Sequence, residues 1–355
     1  LPVLLIGVAL TLLMLLVNWH GIGIGAITQL LLFAVMVVLA VVVVVVGFGA
    51  GSLDNASPFF NDAVQEIGSP AASVVAFLLP AFAFLAGFGV VAALAEEANA
   101  GARRIGRIVT LSVLLAGGFY VVVLAATAWV LPWEETAGLT NGTIEAFDVA
   151  GFSTISVLAF GIGVLGVLTT FLAVFAASSR MMLAMARVEL LPRVLADVDP
   201  TRGVPRKALL FTTAIGLGLG WLGPGALVWL LNVGGVYIGV VWAIAVYSFY
   251  RVRRLHPRMA SPYRVRYGWI PGVGAVAAVV VILGGLVPGL PLSLKWPHEY
   301  LIIVVWLALG LLLYRLAPRS LTRTDALRAL LGEHYDGLDV DDERHREQPS
   351  APTQE

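Results

Sequence analysis

Long uninterrupted apolar runs dominate this sequence. Every residue from Leu30 to Val46 is apolar, enough chain to cross most of a bilayer as a helix. Strands of a membrane barrel alternate apolar and polar residues, whereas the segment from Val37 to Val46 is continuously aliphatic. Of the 355 residues, 59% are apolar and 12% are charged, compared with about 45–50% and about 25% in soluble domains. The sequence therefore predicts an all-α polytopic membrane protein.

Nine segments have the apolar length expected of a membrane-spanning helix. The predicted spans are residues 1–17, 27–48, 72–95, 107–131, 152–179, 207–222, 226–250, 270–287 and 298–316. They form one predicted transmembrane domain over residues 1–316. Residues 317–355 form a tail, in which Ser320 is expected to cap a short helix on the membrane surface. From Asp336 onward the tail is acidic and aperiodic, a pattern typical of disorder.

The basic residues are concentrated in alternate loops. Of the 22 Lys and Arg residues, all but Lys295 lie within residues 103–107, 180–207 and 251–266 or from residue 315 onward. The opposite loops carry acidic residues, among them Glu299 at the start of the last span. The positive-inside rule then predicts a multi-pass plasma-membrane protein with a cytoplasmic C-terminus. With nine spans, residue 1 lies outside the cell, and an odd number of preceding spans would return the start to the cytoplasm.

Nothing in the sequence indicates catalysis or a metal site. The chain has no cysteine, and its five histidines lie in loops or the tail without a carboxylate at catalytic or metal spacing. The GxGxxG motif at Gly161–Gly166 lies inside an apolar span, so close helix packing explains it better than dinucleotide binding. We therefore predict no enzyme activity, no cofactor, no metal and no nucleic acid partner.

One predicted span combines helix-breaking residues with a charged end. The segment 77–109 contains Pro80, then Gly87 and Gly89 in mid-span, and then Glu96–Glu97. Proline removes one backbone donor and frees the carbonyl four residues earlier, while glycine lowers the cost of unwinding. Freed backbone groups inside a membrane must be satisfied by protein, water or ligand. The pattern predicts a discontinuous helix whose free backbone groups need partners.

Charged residues at the end of this span have two interpretations. Glu96 and Glu97 lie at a predicted helix C-terminus, where the helix dipole opposes acidic groups. Basic partners are available on the same face in Arg103, Arg180 and Arg187. The acids are either solvated interfacial charges or part of an ion-pair gate, and the sequence does not decide between them.

Polar groups deep within the spans are uncharged. Since no Asp, Glu, Lys or Arg lies deep in any span, the sequence does not predict a buried charge relay. Span 152–179 contains Thr169, Thr170, Ser178 and Ser179. For each hydroxyl taken singly, a hydrogen bond to its own helix is the default.

Several motifs occur in an order that matches a known family. Gly87-Phe88-Gly89 is followed, after six residues, by Glu96-Glu97. Residues 179–205 contain the elements SR, MARVELLP, DP and GVP, and Asn18, Gly21, Gln29 and the segment 251–268 add two loop motifs. These stretches resemble the amino acid/polyamine/organocation (APC) superfamily of amino acid permeases. The corresponding family patterns are GFE or GFD with a later Glu-Glu in helix six, and SR...MARDGLLP...HP..GTP after helix eight.

The resemblance implies a leucine-transporter-like fold of inverted repeats, in which the nine spans are helices four to twelve and helices one to three are absent. It implies secondary transport of an amino acid or amine by alternating access, coupled to H⁺ or Na⁺. The expected substrate-binding residues are Phe84, Leu85, Ala86, Gly87, Phe88 and Gly89. The ion-coupling candidates are Thr169, Thr170, Ser178 and Ser179, and the gate candidates are Glu96, Glu97, Arg103, Arg180 and Arg187.

The sequence departs from the family pattern at positions that affect function. Gly89 replaces the acidic residue, which favours a neutral amino acid over a cationic one. Met36 stands about where many proton-coupled members have a lysine, so that coupling mode loses its support. Because Ala100-Gly101 also replaces Asn-Pro, a second hypothesis stays open. It is a degenerate or truncated permease that acts as a non-transporting membrane subunit or sensor.

Overall fold

The computed structural model of the chain describes residues 2–57, 70–94, 101–223, 225–255, 265–332 and 335. All regular structure within these residues is helical, which confirms the all-α class for them. The helices are α1 (Pro2–Trp19), α2 (Ile22–Ala50), α3 (Pro70–Ala76), α4 (Leu78–Leu85), α5 (Phe88–Ala93), α6 (Ala102–Val130), α7 (Trp133–Ala137), α8 (Gly142–Val149), α9 (Ser153–Arg187), α10 (Arg206–Gly220), α11 (Ala226–Leu255), α12 (Ile270–Leu286), α13 (His298–Arg315) and α14 (Arg323–Leu331). Two 3₁₀ turns lie at Leu53–Ala56 and Arg193–Ala196.

Six stretches in the described part of the chain are long and apolar enough to cross a membrane. They are Gly23–Ala50, Val74–Val91, Arg103–Val130, Ser153–Arg187, Ala226–Leu255 and His298–Arg315. Two further apolar stretches, Leu4–Trp19 within α1 and Ile270–Leu286, are shorter than 18 residues, and α10 has 15 residues. Length and composition therefore support an integral membrane protein with six candidate spans within the described residues, and the predicted number of nine is not confirmed.

The third predicted span is discontinuous. Its helical structure is interrupted at Phe77, between α3 and α4, and again at Ala86 and Gly87, between α4 and α5. Pro80 lies in the first turn of α4, where its missing N–H does not break a helical hydrogen bond. At the second interruption the chain tightens, because Gly89 N donates to Ala86 O at 3.0 Å across only three residues. The structure thus has a break within the glycine-containing segment in which the sequence predicts one.

The two sides of this break pack mainly against different helices, although α6 is contacted from both sides. α4 contacts α11, and Leu79 of α4 is buried with Val236 of α11 and Val281 of α12. α5 instead contacts α6 and α9, which belong to a group with α1, α2, α8 and α10. Ala86 and Gly87 therefore lie between two groups of packed helices.

Helices α9 and α10 meet in a small apolar cluster beside the loop that joins them. Ala186, Leu191, Leu195 and Ala208 are buried together, and Leu313 of α13 packs against them. Residues from the ends of three helices thus form one core in the part of the chain richest in arginine.

Candidate functional site

Aromatic rings from neighbouring helices flank the break between α4 and α5. The Trp242 ring of α11 lies 4.7 Å from the Phe82 ring and 5.2 Å from the Phe88 ring. On the other side, the Phe84 ring lies 6.4 Å from that of Tyr120 in α6. Two expected binding residues, Phe84 and Phe88, therefore each lie beside an aromatic ring of a neighbouring helix. The sequence motifs do not include Trp242 or Tyr120, because a single aromatic residue within an apolar span has no spacing that marks it as functional.

The backbone at the break faces open space. Gly87 and Gly89 are exposed, and no atom outside the local backbone lies within 4 Å of the position that a Cβ would take at either glycine. Leu85 and Ala86 are half-buried. A ligand could approach the Gly87 and Gly89 backbone without displacing a side chain.

A cavity of about 480 Å³ lies beyond the break, between α1, α2, α5 and α9. Its walls are mostly apolar, and they also carry the side chains of Asn18, Gln29 and Arg180. Val90 of α5 and Leu94, just after this helix, belong to the wall, whereas the expected substrate-binding residues 84–89 do not. The volume falls within the range of small-molecule sites, about 300–1,000 Å³. The cavity and the open backbone are thus neighbouring features of α5 but not one site.

The structure describes three of the five gate candidates. Arg180 lies in the cavity wall, where its Nη1 donates to Ala176 O at 3.2 Å. Arg103 and Arg187 are exposed, in the first turn of α6 and the last turn of α9 respectively. Glu96 and Glu97 lie outside the described residues, so an ion-pair gate stays a prediction.

Three of the four ion-coupling candidates bond to their own helix. Thr169 Oγ1 donates to Leu165 O at 2.9 Å, and Ser178 and Ser179 donate to Val174 O and Ala176 O at 2.7 and 2.9 Å. Thr170 is exposed, whereas Thr169 and Ser179 are buried. The hydrogen bond to the same helix that is expected for such hydroxyls is therefore present at these three positions.

The four ion-coupling candidates differ in whether they lie on the side of α9 that faces the cavity. The cavity residues Leu172, Ala176 and Arg180 form one face of α9 at four-residue spacing. At 3.6 residues per turn, Thr169 falls within this face and Ser179 at its border, while Thr170 and Ser178 fall on other sides. Thr169 is consequently the hydroxyl most closely aligned with the cavity.

Arg206, the first residue of α10, links Asp199 of the preceding loop to Trp19 at the end of α1. The sequence did not indicate this charged cluster. Arg206 Nη1 lies 2.5 Å from Asp199 Oδ2, and the guanidinium lies 4.8 Å from the Trp19 ring centre. Asp199 Oδ1 also accepts bonds from the Thr201 hydroxyl and from the N–H groups of Thr201 and Arg202. The Thr201 hydroxyl bond contributes most. Together with the two backbone bonds and the charge of Arg206 it outweighs burial and lowers the pKa of Asp199.

The Asp199 cluster gives a pH-dependent prediction. Because the pKa of Asp199 is lower in the folded protein than its ordinary 3.8, its stabilisation is present above that value and is lost as the pH falls below it. We expect Asp199→Asn to lower the melting temperature by a constant amount above pH 5, and by a shrinking amount below about pH 3.8.

The matched control is Asp197→Asn. Asp197 pairs with Lys207 at 2.8 Å, but both side chains are more than half exposed, so we expect little change at any pH. A temperature difference for Asp199→Asn that does not shrink as the pH falls below 3.8 would contradict the assignment.

Comparison with known proteins yields a consistent set of matches. The sequence profile described as Amino acid permease matches residues 1–314. The Branched-chain amino acid permease BcaP of Bacillus subtilis (strain 168) is 28% identical over 240 residues, or 67% of this chain and 49% of that protein. The Methylthioribose transporter of the same organism is 27% identical over 277 residues, or 77% and 55%. An uncharacterized transporter of Mycobacterium tuberculosis is 38% identical over 135 residues, or 38% and 30%. The chain spans about half the length of the two Bacillus proteins.

Proposed function

The chain belongs to the amino acid permease family, and on that basis we propose that the intact protein transports a neutral amino acid across the plasma membrane by alternating access. The observation that carries the proposal is the break at Ala86 and Gly87, where Gly87 and Gly89 have open space on the side that a Cβ would occupy. Backbone N–H and C=O groups freed within a membrane suit the carboxylate and ammonium groups of an amino acid. We assign the substrate site to Phe84, Leu85, Ala86, Gly87, Phe88 and Gly89.

The preference for a neutral substrate rests on the surroundings of the break. The side chains of this segment are aromatic, aliphatic or absent, and no acidic side chain occurs from Phe84 to Gly89 to pair with a cationic substrate. One relative is named for branched-chain amino acids and another for methylthioribose, and both names denote small uncharged or zwitterionic molecules. Valine, leucine and isoleucine are therefore the substrates to test first.

The packing of the two half-helices supports alternating access. α4 packs with α11 and α12, whereas α5 packs with α6 and α9. Movement of one group relative to the other would need a change in backbone torsions at Ala86 and Gly87 and a sliding of α4 along α6, where Phe84 lies beside Tyr120. In this proposal the nine predicted spans correspond to family helices four to twelve, and the C-terminus is cytoplasmic. The cytoplasmic gate is formed by Glu96, Glu97, Arg103, Arg180 and Arg187.

Thr169 leads to a prediction about the coupling ion. Hydroxyl and carbonyl oxygens bind Na⁺ rather than titrate, so we propose that Thr169 contributes a Na⁺ ligand, with Ser179 at the edge of the site. Thr169→Val keeps the shape and removes the hydroxyl. We expect it to raise the Na⁺ concentration for half-maximal uptake at least tenfold.

The control for this variant is the adjacent Thr170→Val, whose side chain is exposed on another side of α9. It should leave the Na⁺ dependence unchanged. Uptake that is driven equally by a proton gradient without Na⁺ would overturn the role of Thr169.

Uptake by the purified full-length protein in liposomes tests the proposed function. We expect saturable uptake of labelled leucine, isoleucine or valine, competition by the unlabelled neutral amino acids, and no competition by lysine. Absence of uptake of any amino acid or amine under both Na⁺ and H⁺ gradients would overturn transport. Ligand-induced thermal stabilisation without uptake would instead favour the non-transporting sensor or subunit.

A further inference from the structure

Glu189 has an unusual combination of properties for an acidic residue in a loop. It follows the last turn of α9, is 4% exposed, and has a φ of 59°. This left-handed backbone conformation suits glycine and strains residues that carry a Cβ. A strained glutamate here indicates that its side chain has a role.

The Glu189 carboxylate binds a segment more than 130 residues away. Its Oε2 accepts the N–H groups of Ser320 and Leu321, the latter at 2.9 Å. Its Oε1 accepts the Ser320 hydroxyl at 2.7 Å and pairs with Arg193 Nη2 at 2.5 Å. Arg193 Nη2 also lies 3.2 Å from Ser320 Oγ. Three donors of the C-terminal segment therefore converge on one buried carboxylate.

The captured segment leads directly into α14. Thr322 caps this helix by accepting the N–H of Asp325 at 3.2 Å, so Thr322 takes the role predicted for Ser320. Helix α14 contacts α9. Just before the segment, Leu313 packs against the cluster formed by Ala186, Leu191 and Leu195. The chain is thus held on both sides of Ser320.

We propose that Glu189 is a latch that fixes the C-terminal segment 320–322 and α14 to the end of α9. Glu189 lies nine residues beyond Arg180 of the cavity wall, and the latch restrains the last turn of α9. Glycine would satisfy the backbone at this position, so the glutamate is explained by the contact that it makes. The proposal does not depend on the identity of the substrate.

The latch is expected to be closed throughout the physiological pH range. Burial raises the pKa of Glu189, but the bonds from Ser320, Leu321 and Arg193 outweigh it and lower the pKa to about 2. The stabilisation is consequently present above pH 4.5 and is lost only as the pH falls towards 2. Release in the cell would have to come from competition for the carboxylate or the segment rather than from titration.

Hydrogen exchange of the full-length protein, measured by mass spectrometry in lipid nanodiscs, tests the latch. The variants are Glu189→Gly, Glu189→Gln and Ser320→Ala, with Asp197→Asn as an exposed acid of the same loop region. We expect the amides of residues 316–332 to exchange at least tenfold faster in Glu189→Gly. The increase should be smaller in Glu189→Gln, which keeps one acceptor, smaller still in Ser320→Ala, and absent in Asp197→Asn.

The same experiment tests the restraint on α9. In Glu189→Gly, exchange at residues 184–190 should also rise, although glycine removes the backbone strain at this position. An unchanged rate at residues 316–332 would overturn the latch, and a rise confined to those residues would overturn the restraint on α9. An unchanged main thermal transition in Glu189→Gly shows that the variant is folded, whereas a loss of that transition would contradict the latch as a local contact.

Discussion

Gly235→Ala should destabilise the protein by about 3 kcal/mol and abolish transport. A Cβ at this position of α11 would lie 2.4 Å from the carbonyl oxygen and 3.0 Å from the carbonyl carbon of Leu79 in α4. Both atoms belong to the backbone, so a rotamer change cannot relieve the overlap. Helix α4 would have to move away from α11, and the break that follows it would move as well.

The neighbouring glycine is a matched control for this prediction. Gly234 lies in the same helix, but a Cβ there would have no neighbouring atom within 4 Å. Gly234→Ala should be neutral or stabilising by up to about 1 kcal/mol, since alanine has the higher helix propensity. Thermal unfolding in detergent and leucine uptake in liposomes measure the two effects. Equal behaviour of the two variants would contradict the close contact between α4 and α11.

Glu299→Ala should destabilise the protein by about 2–4 kcal/mol. Glu299 is completely buried in the first turn of α13. Its Oε1 accepts Asn232 Nδ2 of α11 at 2.8 Å, and its Oε2 accepts Lys295 N at 2.6 Å. Alanine leaves both donors without this acceptor and creates a cavity beside the loop that precedes α13.

Thermal unfolding of the Asn232 and Glu299 variants distinguishes a specific contact from general disruption. The double variant Asn232→Ala/Glu299→Ala should lose less free energy of unfolding than the sum of the losses in the two single variants, because either substitution alone breaks their bond. Asp148→Ala, which removes an exposed acid, should change the melting temperature little. Strict additivity would mean that the 2.8 Å bond contributes nothing.

Local sequence was most informative where a single residue type controls backbone geometry. Gly87 and Gly89 predict a weak point in the third span, and the structure breaks at Ala86 and Gly87. Apolar runs likewise predict helices throughout the described residues. The number of spans was less predictable. Within the described residues, length and composition support six, because the stretches Leu4–Trp19 and Ile270–Leu286 and helix α10 are short.

The partners of individual side chains could not be predicted from the pattern. Charge patterning assigns Glu299 to an external loop, whereas folding buries it against Asn232, 67 residues away. Trp242 has no motif of its own, and it approaches Phe88 only because α11 packs beside the break. Ser320 resembles a helix cap in sequence but binds Glu189 instead. The cavity wall includes Val90 and Leu94 but none of the expected substrate residues 84–89. Its position depends on how distant helices pack and could not be predicted from the local sequence.

The sequence alone determined that this chain is an all-helical integral membrane protein of the amino acid permease family with a discontinuous third span. These properties follow from hydropathy, from the conformations open to proline and glycine, and from motif order, all of which are local in the chain. Tertiary structure alone decided which helices hold the two sides of the break, where the cavity lies, and which acids are buried. Those properties depend on contacts between distant residues, and the contacts are set by how the helices pack.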